Sequence, residues 1–540
     1  MGQAQISRGF AATRKTPAVL MRERLLLPAN AGRLLQQTDQ GYVMGDHAIP
    51  ASTGKRHSAK CEDILSKGFS RRDVLKWAVA GAAAGAIPMG AGCGSSEAGP
   101  PVPKHIILIS MDTLRRDHLP VYGYSRNTAP GVSMLAESSV IFDNALAAAS
   151  NTAPSHASML TGVHPLTHGV KSNWAMLSPD AVTLAEILRG QGFAAGAFVS
   201  CIALHSNITG LDRGFDVYRQ VGPAPGHCRA RETFLDASAW LNALKNKRRV
   251  FLFFHVFDPH FPYSAPGGEI RPEWEGSSRK RDLPLDYPAM RARMKRGFSQ
   301  DEIQAYTDWY DEEIRYADLY IERLLQTLRD KGMFDDSLVI FLSDHGETLG
   351  ERPWMFDHGS KVYEEQIRIP LVIKFPGAWK KGTRIAAPVH HVDVTPTVLD
   401  ALGLQPPEIM EGVPLAPMVQ KPEAAAERFM FCMAQSDPER TSELKQPIAP
   451  GKPVFCIRRP PHKLVMYPGE KARPVVCLHD LSSDPKEMNN TAQVQPAIAG
   501  DLKRRLDAWI NASLSKGRKY ETVPLSPEMD RALRSLGYIG

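Results

Sequence analysis

Residues 105–112 read HIILISMD. A short apolar run that ends on an acidic residue is the signature of a strand buried on both faces of a parallel sheet. Working outward, AAGAFVS (194–200), RRVFLFFHVF (248–257), SLVIFLS (337–343) and IPLVIKFPG (369–377) repeat the pattern. Between them VTLAEILRGQGF (182–193) and YADLYIERLLQTLRDKGMFD (316–335) show helical periodicity followed by glycine stops. Strands alternating with helices predict an α/β fold, in which ligands bind beyond the carboxyl ends of the strands. The polar residues at those ends are Asp112, the segment His255 to His260, and the pair Asp344 and His345. One such aspartate is usually a turn residue; three strands ending in Asp and His point to a site.

Past residue 405 the alternation weakens. FMFCMAQ, PVFCIRR, HKLVMYP and PVVCLHDL predict short antiparallel strands, and QPAIAGDLKRRLDAWINASLSKG (495–517) a closing helix. This gives a catalytic part over 104–405 and a smaller α+β C-terminal subdomain over 406–540. The 540-residue chain carries a formal charge of +7. No long Lys/Arg run concentrates that charge, so composition offers no case for nucleic-acid binding.

The first hundred residues differ. Residues 1–65 lack sustained periodicity and read as a poorly ordered leader. Arg71 and Arg72 open a weakly apolar Ala/Gly stretch from Trp77 to about Met89, too short to span a bilayer as a stable helix. Over 66–103 this reads as a twin-arginine export signal and linker, the alternative being a small buried helix. GAGC, ending at Cys93, resembles a lipobox, with Gly90 where Leu is usual. The product is thus either periplasmic or a lipoprotein anchored through an acylated Cys93. Such a signal normally lies near the initiator, and a misplaced start codon would account for the preceding 65 residues. The cysteines from Cys201 onward form no CxxC pair; a disulfide among Cys432, Cys456 and Cys477 and buried free thiols are both open.

Asp112, Asp344 and His345 offer two carboxylates and an imidazole to one divalent metal. NTAPSHASMLTG (151–162) places Thr152 at the start of a helix, where free N–H groups favour an anion. A metal would lower the pKa of the Thr152 hydroxyl and suit it to attack a phosphate or sulfate ester. The competing reading of Thr152 is an N-cap.

At this point the residues resemble a family. HIILISMDTLRRDHLPVYGY, TAPSHASMLTGVHPLTHGV, FHVFDPHFPY, SDHGETLGE, DHGSKVYEEQIRIPLVIKFPG, HVDVTPTVLDALGL, LHDLSSDPKEMNN and RALRSLGYIG resemble, in order, motifs of the sulfatase branch of the alkaline phosphatase superfamily. The resemblance covers 104–540. It implies a large mixed, mostly parallel sheet flanked by helices, and a hydrolase of sulfate or phosphate esters. The departures are specific. Thr152 stands where sulfatases convert a cysteine or serine to formylglycine, so no formylglycine is expected. His156 replaces the motif arginine, Asp112-Thr113 replaces an Asp-Asp pair, and His345 replaces an asparagine ligand. A histidine ligand shifts the expected metal towards Mn²⁺ or Zn²⁺ and away from Ca²⁺ and Mg²⁺.

The resemblance further implies His260 as general acid, with His358 or Lys361 facing the substrate oxyanion. His255 is expected on the substrate, or with Asp258 on a second metal, one metal being favoured. Asn173, His164 and His168 follow the nucleophile segment; Asn173 is taken as substrate-binding and His164 as a helix C-cap and turn. His390 and His391 read as structural. Threonine has one hydroxyl, so a threonine ester must be cleared by water, as the resemblance implies from the superfamily's threonine-dependent phosphodiesterases; this tilts the expected substrate towards phosphate diesters or phosphonate esters, with phosphodiesterase or phosphonate monoester hydrolase as the alternative activity. The remaining readings are a phosphoryl-group transferase and a non-catalytic exported binding lipoprotein. The expected partners are small-molecule, glycan or lipid esters; the sequence does not give the oligomeric state.

Overall fold

The computed structural model describes residues 99–220, 228–245, 248–263, 283–284, 287–294, 296–352, 356, 358–422, 427–435, 448–449, 451–469, 473–517, 521–522 and 527. The leader, the twin-arginine segment, Cys93 and the terminal RALRSLGYIG lie outside them. The described strands form one large sheet built around β1 (His105–Met111), β2 (Val140–Leu146), β3 (Ala194–Val199), β4 (Val217–Gln220), β5 (Val250–Val256), β6 (Ser337–Ser343) and β7 (Arg368–Lys374). Their order is β2-β7-β6-β1-β5-β3-β4, with two-residue strands at Arg384–Ile385 and Val389–His390 pairing with β2. β7 alone runs antiparallel to its neighbours β2 and β6. The expected mixed, mostly parallel sheet is thus observed.

β1 is central, flanked in parallel by β5 and β6, with Ser110 opposite His255 and Met111 opposite Ser343. Strand side chains alternate between faces. Ile106, Leu108, Phe251, Phe253, Leu338 and Ile340 join one apolar core; Ile107, Ile109, Leu252, Phe254, Val339 and Phe341 join the other. Both faces are covered, which is why these runs are continuously apolar. The first core receives helix α1 (Thr152–Thr161) through Ala153, Ala157 and Met159. The second receives the long helix α2 (Gln300–Asp330) through Tyr306, Tyr310, Ile314 and Tyr320. α2 begins well before the apolar repeat at 316, with a capping box in which Ser299 and Glu302 satisfy each other's amides.

The polar residues of α2 pin the loop that leaves β1. Asp311 meets His118 Nδ1 at 2.7 Å and accepts from the Tyr124 hydroxyl at 2.6 Å and from Arg126 at 2.8 Å. Asp318 accepts the amides of Gly131 and Val132 at 2.7 and 2.8 Å, satisfying the first turn of the helix Pro130–Glu137. The Asp112 end of β1 is therefore held by a buried ionic scaffold as well as by the sheet.

The C-terminal part is a four-stranded antiparallel sheet of β8 (Met430–Gln435), β9 (Pro453–Arg459), β10 (His462–Tyr467) and β11 (Val475–Asp480), with helix α3 (Pro496–Lys516) packed on it. Cys201, Cys228, Cys432, Cys456 and Cys477 are buried free thiols. Among the described residues no helix is long and apolar enough to cross a membrane.

Asp311→Ala leaves Arg126, His118 and Tyr124 without their shared acceptor. Breaking a buried ionic cluster costs about 3–5 kcal/mol, and urea denaturation should show a loss in that range. A loss under about 1 kcal/mol would mean that packing alone holds the loop.

Candidate functional site

The carboxyl ends of β1 and β6 bring Asp112, Asp344 and His345 together, fully buried, with one ligand atom of each within 4.8 Å of the others. His345 Nε2 lies 3.4 Å from Asp344 Oδ2 and 4.0 Å from Asp112 Oδ1. The turn that carries them is tight: a Cβ on Gly346 would fall 2.2 Å from the Glu365 carbonyl oxygen. His345 Nδ1 bonds the Gly346 carbonyl at 3.0 Å, which fixes the tautomer that leaves Nε2 without a proton. Asp344 Oδ1 accepts the amides of His345 and Thr113 at 2.8 and 3.1 Å. Asp344 Oδ2 and both oxygens of Asp112 have no conventional hydrogen-bond partner among the described residues, although the Cys201 thiol lies beside Asp112.

Two buried carboxylates with open oxygens are costly unless a cation joins them. Burial pushes the Asp112 carboxyl up to about 7, and burial and then the charge of Asp112 raise that of Asp344. The adjacent imidazoles do not supply positive charge: burial lowers His156 to about 3 and His255 to about 4. Open carboxylate oxygens and a deprotonated imidazole nitrogen fit a divalent cation.

Thr152 is the first residue of α1, not its cap. Asn151 holds the N-cap position and makes no side-chain cap bond. Thr152 Oγ1 instead faces the cluster, 3.4 Å from His345 Nε2. The start of α1 is fixed by Asn173 Oδ1, which accepts the Ala153 amide at 2.9 Å, and by Ser155, whose hydroxyl bonds the Ala149 carbonyl at 2.8 Å. Asn173, expected on the substrate, thus has its carbonyl oxygen engaged in holding the start of α1. His156, expected among the catalytic residues, bonds the Thr152 carbonyl at 2.8 Å through Nδ1 and the Ser110 hydroxyl at 2.9 Å through Nε2, so it joins α1 to β1 beneath Thr152.

His255 reaches Asp112 Oδ2 at 3.4 Å through Nε2 and so lies on the ligand side of the cluster. Both oxygens of Asp258 are engaged, accepting from Arg229 and the Ala230 amide, each at 2.8 Å. His260 bonds the Phe261 carbonyl at 2.5 Å through Nδ1. Its ring meets His358 at 4.9 Å, and His358 stacks on His345 at 4.8 Å. A row of three imidazoles therefore runs outward from the cluster. Glu347 backs the row: it is fully buried, accepts the Tyr263 hydroxyl at 2.5 Å, and lies 3.7 Å from His358 Nδ1. Lys361 is buried with its ammonium 5.8 Å from the Tyr363 ring centre.

His164 precedes the short turn Pro165–His168 instead of capping a helix C-terminus, and its ring packs among His390, Phe431 and Trp509. His168 bonds the Ser158 hydroxyl at 3.0 Å. His391 joins the Ser343 carbonyl to the Ala148 amide, at 2.9 and 3.2 Å, and is structural as expected. Sequence reasoning passed over Ser110, Glu347 and Tyr310. Glu347 and Ser110 lie within recognised motifs; Tyr310 carries no local signal.

The chain matches the sulfatase family over residues 104–404, the N-sulphoglucosamine sulphohydrolase C-terminal family over 350–512, and the twin-arginine translocation signal over 68–88, which indicates export by that route. It is 26% identical over 441 residues to an ulvan-active sulfatase of Formosa agariphila, covering 77% of this chain and 82% of that protein. It is 25% identical over 448 residues to a choline-sulfatase of Rhizobium meliloti, covering 72% and 82%. Among solved structures, a phosphonate monoester hydrolase of Agrobacterium radiobacter superposes with a TM-score of 0.59 at 20% identity, covering 79% of this chain and 98% of that one. A 2-O GAG sulfatase does so with a TM-score of 0.60 at 19% identity, covering 79% and 95%. These structures share the fold, and the family match spans more than half of the chain. The protein belongs to the sulfatase family and is a sulfuric ester hydrolase by that membership.

Proposed function

We propose that this enzyme is a metal-dependent hydrolase that uses Thr152 itself, without formylglycine, as nucleophile. The observation that carries the reading is Thr152 Oγ1 at 3.4 Å from His345 Nε2, beside the open oxygens of Asp112 and Asp344. A divalent cation held by Asp112, Asp344, His345 and Thr152, with Mn²⁺ or Zn²⁺ favoured, would lower the Thr152 pKa and offset the negative charge of the ester oxygens. Thr152 gives up its hydroxyl proton to solvent and Oγ1 attacks phosphorus or sulfur, and the bond to the leaving oxygen breaks as His260 protonates that oxygen. Water then cleaves the threonine ester and restores the hydroxyl. His358, stacked on His345 and edge-on to His260, faces the charge that develops, with Lys361 as a cation for it.

Sulfuric esters are the first reading, sulfated glycans among them in view of the ulvan-active relative. Phosphate diesters and phosphonate monoesters are the second, because a threonine ester has to be cleared by water. Residues 104–405 would form the catalytic part and 406–540 its buttress. After export the protein is either periplasmic or anchored through Cys93.

Three chromogenic substrates separate these readings: p-nitrophenyl sulfate, p-nitrophenyl phenylphosphonate and bis-p-nitrophenyl phosphate. Thr152→Ala should lose at least about 10³-fold in kcat/KM on the preferred one. Intact mass after a substrate soak should show wild type, and not Thr152→Ala, carrying the ester. Full activity in Thr152→Ala would exclude the nucleophile; a manganese-loaded wild type inert on all three would favour a binding protein.

A carboxyl raised on folding from 3.8 to about 7 weakens the fold as pH climbs between those values, because the unfolded chain ionises first. Metal-free Asp112→Asn should therefore be the more stable protein at about pH 8, by up to about 4 kcal/mol, with the gain shrinking towards about pH 4. It should also bind Mn²⁺ far more weakly. Thermal melts and calorimetric titration check both.

A further inference from the structure

Thr113, between Asp112 and the loop, has φ +51°. That is the left-handed region, which a β-branched residue adopts only under constraint. Its side chain gives nothing in return: Thr113 is fully buried and its Oγ1 has no hydrogen-bond partner among the described residues. The constraint is external. The Tyr310 hydroxyl, projecting from α2, donates to the Thr113 carbonyl at 2.8 Å and accepts the Arg115 amide at 2.8 Å, closing the turn from both sides. Arg115 is tied down in turn, its guanidinium bonding the Glu347 carbonyl at 3.3 Å and the carboxylates of Asp117 and Glu351 at 2.7 and 2.6 Å.

The strained turn has one visible product. It aims the Thr113 amide at Asp344 Oδ1, 3.1 Å away on the neighbouring strand end. That bond fixes the Asp344 carboxylate with Oδ2 turned towards the cluster, and ties the strand end that bears Asp112 to the one that bears Asp344. We infer that Tyr310 is a positioning residue of the metal set: by holding Thr113 in the left-handed conformation it fixes the mutual placement of Asp112 and Asp344. The inference rests on the metal reading above and goes beyond it, since Tyr310 touches neither ligand.

The test is calorimetric Mn²⁺ titration of the metal-stripped full chain, with melting of the metal-free form alongside. Tyr310→Phe keeps the ring that packs on Tyr263 and His118 and removes both hydrogen bonds. Its Mn²⁺ affinity should fall about 10–100-fold, the usual effect of losing a residue that orients a ligand. Glycine enters the left-handed region freely. Thr113→Gly should therefore bind Mn²⁺ within about threefold of wild type and melt no lower. Combined with Tyr310→Phe, it should recover most of the affinity that Tyr310→Phe alone loses.

Three results would overturn the proposal: Tyr310→Phe that melts lower yet binds as wild type does, a double variant that binds no better than Tyr310→Phe, or Thr113→Gly that melts well below wild type. If Tyr310→Phe cannot be purified folded, Thr113→Gly alone still decides through its melting and affinity. Wild type that binds no divalent ion would sink the metal reading, and this consequence with it; wild type that binds while all variants bind equally would sink the clamp alone.

Discussion

Two carboxylates buried side by side set the terms for this fold. Asp112 and Asp344 sit on adjacent parallel strand ends, and nearby imidazoles are held neutral by burial. Repulsion between such groups would open the sheet edge if only local contacts held it. The surrounding structure resists that opening. Apolar cores cover both faces of β1, β5 and β6, α2 pins the loop leaving β1, and α1 is drawn in by Asn173 and His156. The arrangement keeps the two carboxylates and His345 together in the folded chain.

Much of this was legible in the sequence, for a physical reason. Strands buried on both faces must be apolar throughout, so β1, β5 and β6 announce themselves, and residues just past such strands can only stand at the sheet edge. Thr152 became legible through a motif. Direction was less so: an apolar run does not say which way it is traversed, and the reversal of β7 follows from its partners. The first half of α2 hid because its buried face is lined with Asp308, Asp311 and aromatic hydroxyls that read as surface until their partners are known.

His156, expected among the catalytic residues, and Asn173, expected on the substrate, share one property. Both bond the backbone at the start of α1, and a buried backbone group takes a side-chain partner wherever one is offered. Motif spacing puts a side chain in the neighbourhood of a site. Whether it turns outward to a ligand depends on the unsatisfied carbonyls and amides beneath it.

The edge strand β8 joins the two parts of the molecule where it matters. Met433 exchanges backbone hydrogen bonds with Ala148 and Ser150, at 3.1 and 3.2 Å, and the Gln435 amide bonds the Gly359 carbonyl at 2.9 Å. The stretch entering Thr152 and the loop carrying His358 are thus hemmed by one strand that comes late in the chain. A chain growing from its N-terminus therefore lacks these backbone partners of residues 148–150 and of Gly359 until β8 has been made.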